Sequence, residues 1–163
     1  MIAQSLLPEI SHEYANTRKL LELVPFDKFD WKPHERSMVL GKLAIHIANI
    51  PGWCKIILGA DATDVTVPPF PPANFTNLQE LLGRFDENVA DAKAALTDRP
   101  DAELVKVWSL KRGEHTIVTL PKVAALRTFA VSHVIHHRAQ LQVYLRMLDI
   151  PVPGFYGPSA DGI

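Results

Sequence analysis

From Lys122 to Leu148 the chain reads KVAALRTFAVSHVIHHRAQLQVYLRML, without proline or glycine, although thirteen prolines and eight glycines occur in the rest of it. Proline is the residue that would remove a helical hydrogen bond and clash with the preceding turn. Its absence predicts one long helix of about 40 Å at ~1.5 Å rise per residue. Pro121 suits the first turn. Such a helix buries an apolar face only against other helices or a sheet.

The rest of the chain supplies helices. Leu6, Leu7, Ile10, Tyr14, Leu20, Leu21 and Val24 follow helical spacing with a gap at Thr17, and Pro25 stops that run. PFDKFDWKPHERS reads as a loop. Ser37 is the expected N-cap of a second helix from Met38 through VLGKLAIHIANIPGWCKIIL, kinked at Pro51. Residues 59–75, with four prolines, read as an extended cover. Thr76 opens a capping box for a third helix, and 98–103 read as a turn. VKVWSL and HTIVTL flank Lys111-Arg112-Gly113-Glu114, a pattern for a short β-hairpin before the last helix. The expected fold class is all-α, an up-and-down-type four-helix bundle with that hairpin as its one excursion, in a single domain over 1–163.

Charge narrows the function. Seventeen basic and eighteen acidic residues leave a net charge of -1, so no basic field for nucleic acid or a membrane surface is expected. The single cysteine, Cys54, permits no internal disulfide, which suits a reducing compartment. No basic n-region precedes Glu9, His12 and Glu13, and no run reaches the ~20 apolar residues of a membrane helix. The expectation is a cytoplasmic protein.

Seven histidines are present, and their placement carries the argument. His133 and His137 lie four residues apart on the stripe Leu126, Phe129 or Ala130, His133, His137, Gln140 or Leu141, Tyr144, Leu148. That is the face expected to point inward. His46 lies on the second helix near Met38, Leu43, Ile50 and Trp53 or Cys54, and is also expected inward. A single core histidine is ordinarily satisfied by a backbone carbonyl. Three inward histidines each need a partner, since a buried unpaired polar group costs roughly 1–3 kcal/mol. One divalent ion would satisfy all three, at about 2 Å from each nitrogen. The pattern alone leaves both readings open, because two histidines four apart on a helix are common.

Several segments, taken in order, resemble the DinB-like family of bacterial metal-binding four-helix bundles, named from damage-inducible proteins. SMVLGKLAIHIANIPGW is similar to the family's second-helix segment with its single histidine. SHVIHHRAQLQVYLRML is similar to its last-helix pattern, His-x-x-x-His followed by Arg-x-Gln. VPGFYGPSAD resembles the tail of one large subgroup, and WKPHERSM also fits. The resemblance implies a nickel or zinc ion on His46, His133 and His137. It also implies, for several relatives, a transferase or isomerase that uses a low-molecular-weight thiol, and a homodimer. Other relatives have no established activity.

Three nitrogen ligands leave a coordination position open, the pattern of catalytic zinc. Bound water or a bound thiol would be acidified there. Three function classes follow: a metal-dependent thiol transferase acting on a small-molecule substrate, a metal-dependent hydrolase, and a non-enzymatic metal-binding stress protein. A general base beside the metal would favour the hydrolase, and Asp161 and Glu35 lie in loops that could reach a bundle end. His136 reads first as a polar edge residue and second as a substrate-facing group. His12, His34 and His115 read as surface residues. Cys54 reads as a buried small hydrophobe, with a ligand role as the alternative. Trp31, Trp53 and Trp108 read as core or interface anchors. Tyr144 could orient a water or serve the core, and Arg138 and Gln140 could fix packing or hold a carboxylate. Tyr156, Ser159 and Asp161 could cap the metal cleft.

Overall fold

Helix α1 (Ile2–Leu21) buries Ala3, Leu6, Ile10, Tyr14, Leu20 and Leu21, as the spacing requires. Thr17, the gap in that stripe, is itself buried, and its hydroxyl donates to the Glu13 carbonyl at 2.8 Å. The computed structural model describes residues 1–162.

Helix α2 (Leu40–Asn49) begins at Leu40, with Val39 as N-cap and no side-chain cap. Ser37 is therefore not the cap that the sequence reading assigned. The amides of Leu40 and Gly41 instead donate to the carbonyls of Trp31 and Phe29, each at 2.8 Å. A β-carbon on Gly41 would run into the Phe29 ring, so glycine is what lets the loop lie against the helix start. Pro51 interrupts the run as expected. A 3-10 turn over Ile50–Gly52 leads into α3 (Trp53–Gly59).

Helix α4 (Leu78–Leu96) is capped by Asn77, one residue beyond the expected Thr76. The Asn77 side-chain oxygen accepts from the Glu80 amide at 3.0 Å, and the Glu80 carboxylate accepts from the Thr76 amide at 2.7 Å. The segment expected as a turn holds a short helix, α5 (Asp101–Leu104). The Asp101 carboxylate accepts from the Ile2 amide at 2.8 Å, which ties α5 to the start of α1.

The expected hairpin is present as β2 (Val107–Arg112) and β3 (His115–Pro121), antiparallel, with a register shift between Leu110 and Lys111. A third strand, β1 (Ala62–Asp64), lies parallel to β2 and makes the sheet mixed, in the order β1-β2-β3. The all-α expectation is corrected accordingly: the fold is mostly helical with a small three-stranded sheet. Parallel strands need a long crossover, and here the strap after β1, α4 and α5 provide it. Trp108 of β2 is fully buried, and its indole N–H donates to the Thr63 hydroxyl at 3.3 Å. Trp53 packs on Phe70 of the strap, on Trp108 and on Phe129, at centroid distances of 5.8, 6.4 and 5.6 Å.

The long last run is helical throughout but not uniformly α. It comprises α6 (Lys122–Leu126), a π-helical turn over Arg127–Ser132, and α7 (His133–Met147). Helices α1 and α2 each pack against both α4 and α7. Among the described residues no helix is long and apolar enough to cross a membrane.

Arg138 fixes α7 against α1. Its side chain is 2% exposed. It pairs with the Glu13 carboxylate at 2.7 Å and donates to the Glu13 carbonyl at 3.0 Å and to the Tyr156 hydroxyl at 2.6 Å. Tyr156 in turn donates to Glu13 at 2.7 Å. Arg138 also lies over the Phe155 and Tyr156 rings, at 4.7 and 5.3 Å from their centroids. Four residues apart along α7, Gln142 donates to the Pro153 carbonyl at 3.0 Å and Arg146 pairs with Asp161 at 2.7 Å. The tail is thus held along one face of α7. Removing one partner of a buried ion pair typically costs about 3–5 kcal/mol. Arg138→Ala is expected to lose about that much in urea denaturation. Glu13→Ala/Arg138→Ala together should lose clearly less than the sum of the single losses; simple additivity would show that the pair does not couple.

Candidate metal centre

His46 sits in the last turn of α2, and His133 and His137 occupy the first two turns of α7. The structure brings all three expected ligands together. One candidate ligand atom from each lies within 4.8 Å of the others, a group that could hold a metal ion. The His46 and His133 Nε2 atoms are 3.0 Å apart. Two nitrogens ~2.1 Å from a common ion lie about 3.0 Å apart at a right angle and about 3.4 Å apart at the tetrahedral angle. The observed separation therefore fits two ligands of one ion. The three rings lie 4.5 to 4.9 Å apart by centroid.

Protonation also fits. Burial, then the neighbouring His137 and His133, hold the His46 pKa down at about 4. Burial lowers His133 and His137 as well. The Phe129 carbonyl partly offsets this at His133, and Gln140 does so at His137. Neutral imidazoles are the form that binds a metal. Without a cation, two neutral rings share the 3.0 Å contact only if one of the two Nε2 atoms carries the proton. The His133 Nδ1 is buried with no partner at full hydrogen-bonding geometry, although the Phe129 carbonyl acts on that ring. The π-helical turn ends one residue before His133. Such turns often accompany functional sites, and nothing in residue spacing announces this one.

The remaining candidates separate. Gln140 is exposed and its side-chain oxygen lies 2.7 Å from His137 Nδ1. Arg138 holds a carboxylate, that of Glu13, which the sequence reading did not single out. His136 is exposed with its ring 4.7 Å from that of His137. Tyr144 packs on Trp31 and donates to the Met38 carbonyl at 3.1 Å. The expected cleft cap is not what the tail polar groups form: Tyr156 meets Glu13 and Arg138, Ser159 donates to the Val152 carbonyl, and Asp161 takes Arg146 and the Val152 amide. Asp161 is thus committed to the tail, and Glu35 is exposed. His12, His34 and His115 are exposed as expected.

The family model described as DinB family matches residues 2–161. Among solved structures, a DinB-like protein from Bacillus subtilis superposes with a TM-score of 0.72 at 19% identity, over 95% of this chain and 99% of that one. A candidate DinB-family member from Exiguobacterium sibiricum gives 0.67 at 21% identity, over 94% and 95%. At these identities the likeness is one of fold. No curated protein matches the chain.

Cys54 is fully buried, and its Sγ lies 3.6 Å from the Tyr14 hydroxyl. It stands apart from the three-histidine group, in agreement with its reading as a small hydrophobe. Burial pushes its thiol up to about 12, so at pH 8 almost no thiolate exists. A maleimide or disulfide reagent should leave the native protein unlabelled and label it stoichiometrically in denaturant. Fast labelling of folded protein would contradict the buried position.

Proposed function

We propose, from the premise that this chain belongs to the DinB family, that it binds one divalent ion, nickel or zinc, through His46, His133 and His137. The convergence of these three half-buried histidines carries the reading. In this view the four long helices form an up-and-down bundle, with the ion held between α2 and α7. An ion so held supplies a Lewis acid that lowers the pKa of a bound thiol or water.

Transfer chemistry on a low-molecular-weight thiol is the activity we favour. A thiol needs no separate base once its proton is acidic. Among the described residues no carboxylate hydrogen-bonds any of the three histidines, and Asp161 is engaged by Arg146. A general base beside the ion would have favoured the hydrolase instead. A metal-binding stress protein without catalysis is the third reading. The partner is then a small molecule, and we infer a homodimer as the working state. Val143 and Met147, exposed on the outer face of α7, offer an apolar surface for it. Light scattering at micromolar concentration should give twice the monomer mass; the monomer mass would remove that inference.

Ligands that bind only the folded state raise its stability. Chelation should lower the melting temperature, and nickel or zinc should restore it. Alanine at His46, His133 or His137 should abolish most metal uptake, and His136→Ala should keep it. Equal loss at all four positions, or equal melting with and without metal, would overturn the assignment. In cobalt-substituted protein, a small thiol should add a sulfur-to-metal charge-transfer band. Turnover of activated esters without that band would favour the hydrolase.

A further inference from the structure

The three histidines can serve one ion only if each ring presents the correct nitrogen. His46 and His133 turn their Nε2 atoms toward each other at 3.0 Å, and an ion there would displace the one proton they share. His137 has its Nδ1 taken up by Gln140 at 2.7 Å. A neutral imidazole carries one N–H, and an amide oxygen accepts only from the nitrogen that bears it. The contact therefore places the proton on Nδ1 and leaves the Nε2 lone pair for the centre. Gln140 is exposed, and this is its only side-chain hydrogen bond among the described residues. It lies three residues after His137, on the adjoining turn of the same face.

We propose that Gln140 is a positioning residue for the site. It fixes the tautomer and ring orientation of His137, and it does so without adding charge. Many metal-ligating histidines rest on a carboxylate, which raises ligand basicity and contributes a negative charge. Here the supporting group is a neutral amide. The whole charge of a bound divalent ion is then left to be balanced by whatever enters the open position, which favours an anionic ligand class such as thiolate or hydroxide.

The inference rests on the metal-binding reading above, so the test has one readout with metal and one without. Gln140→Leu removes the acceptor at similar size on an exposed helix position, and Gln140→Glu keeps an acceptor. On metal-free protein at pH 8, long-range proton–nitrogen correlation reports which His137 nitrogen carries hydrogen. The native protein and Gln140→Glu should show Nδ1–H, and Gln140→Leu should show a mixture or Nε2–H. Chelator competition with nickel and zinc should show affinity falling about 10–100-fold in Gln140→Leu, with rescue in Gln140→Glu. Far-ultraviolet dichroism should be the same for all three. An Nε2–H ring in the native protein overturns the proposal, as does unchanged affinity in Gln140→Leu, or equal loss in both variants. Failure of the native protein to bind either metal would remove the metal reading while the tautomer measurement still decides the role of Gln140.

Discussion

A guanidinium taken out of water sets the orientation of the helix that carries most of the site. Arg138 is buried against Glu13 of α1 and Tyr156 of the tail, and a buried charge tolerates little displacement from its partner. Successive residues on a helix turn by about 100°. With Arg138 committed to α1, His137 is turned away from that contact, and His133 lies one turn below it. Helix α2 occupies that side, with His46 in its last turn. The direction of the ion pair and the direction of the two imidazoles are thus one rotational setting of α7.

The other end of the site is set by packing. Phe129 lies within the π-helical turn and packs against Trp53 and Trp108, at 5.6 and 5.5 Å by centroid. Trp108 comes from β2 and Trp53 from α3, so strand, broken second helix and last helix meet at one aromatic cluster. Pro51 matters here because the 3-10 turn it introduces leads directly into Trp53. An α-helix from Lys122 onward would present its residues in a different rotational phase from that left by a wide turn. The π-helical stretch carries Phe129 and ends one residue before His133, which meets His46.

The sequence made the helices and the three histidines legible because both depend on local periodicity. Hydrophobic spacing exposed α1, a capping box exposed α4, the absence of proline and glycine exposed the last run, and spacing put His46, His133 and His137 on inward faces. The hairpin was legible for the same reason, as two apolar runs around a glycine. Strand β1 has three residues and gains its pairing from β2, more than forty residues away, so no local period could show it. Ser37 does not cap α2 because the backbone carbonyls of Trp31 and Phe29 accept from the amides of Leu40 and Gly41. Tail residues whose chemistry suits a cleft cap are drawn along α7 by Arg138, Gln142 and Arg146, contacts that no local pattern shows. No local pattern marks Glu13; only the tertiary meeting with Arg138 shows its role.

One helix therefore manages two opposite electrostatic demands within a single turn. Toward α1 it buries a positive charge and neutralises it with a carboxylate. Toward α2 it half-buries uncharged rings, and that burial opposes their protonation. The groups beside those rings are a side-chain amide and a main-chain carbonyl, neither of which carries charge. Had Glu13 faced the histidines, it would have raised their proton affinity and favoured imidazolium, which cannot donate a lone pair. Keeping the carboxylate on the Arg138 side and the amide on the histidine side preserves neutral nitrogen donors at neutral pH. The separation of these two faces is what makes the cluster fit to hold a cation.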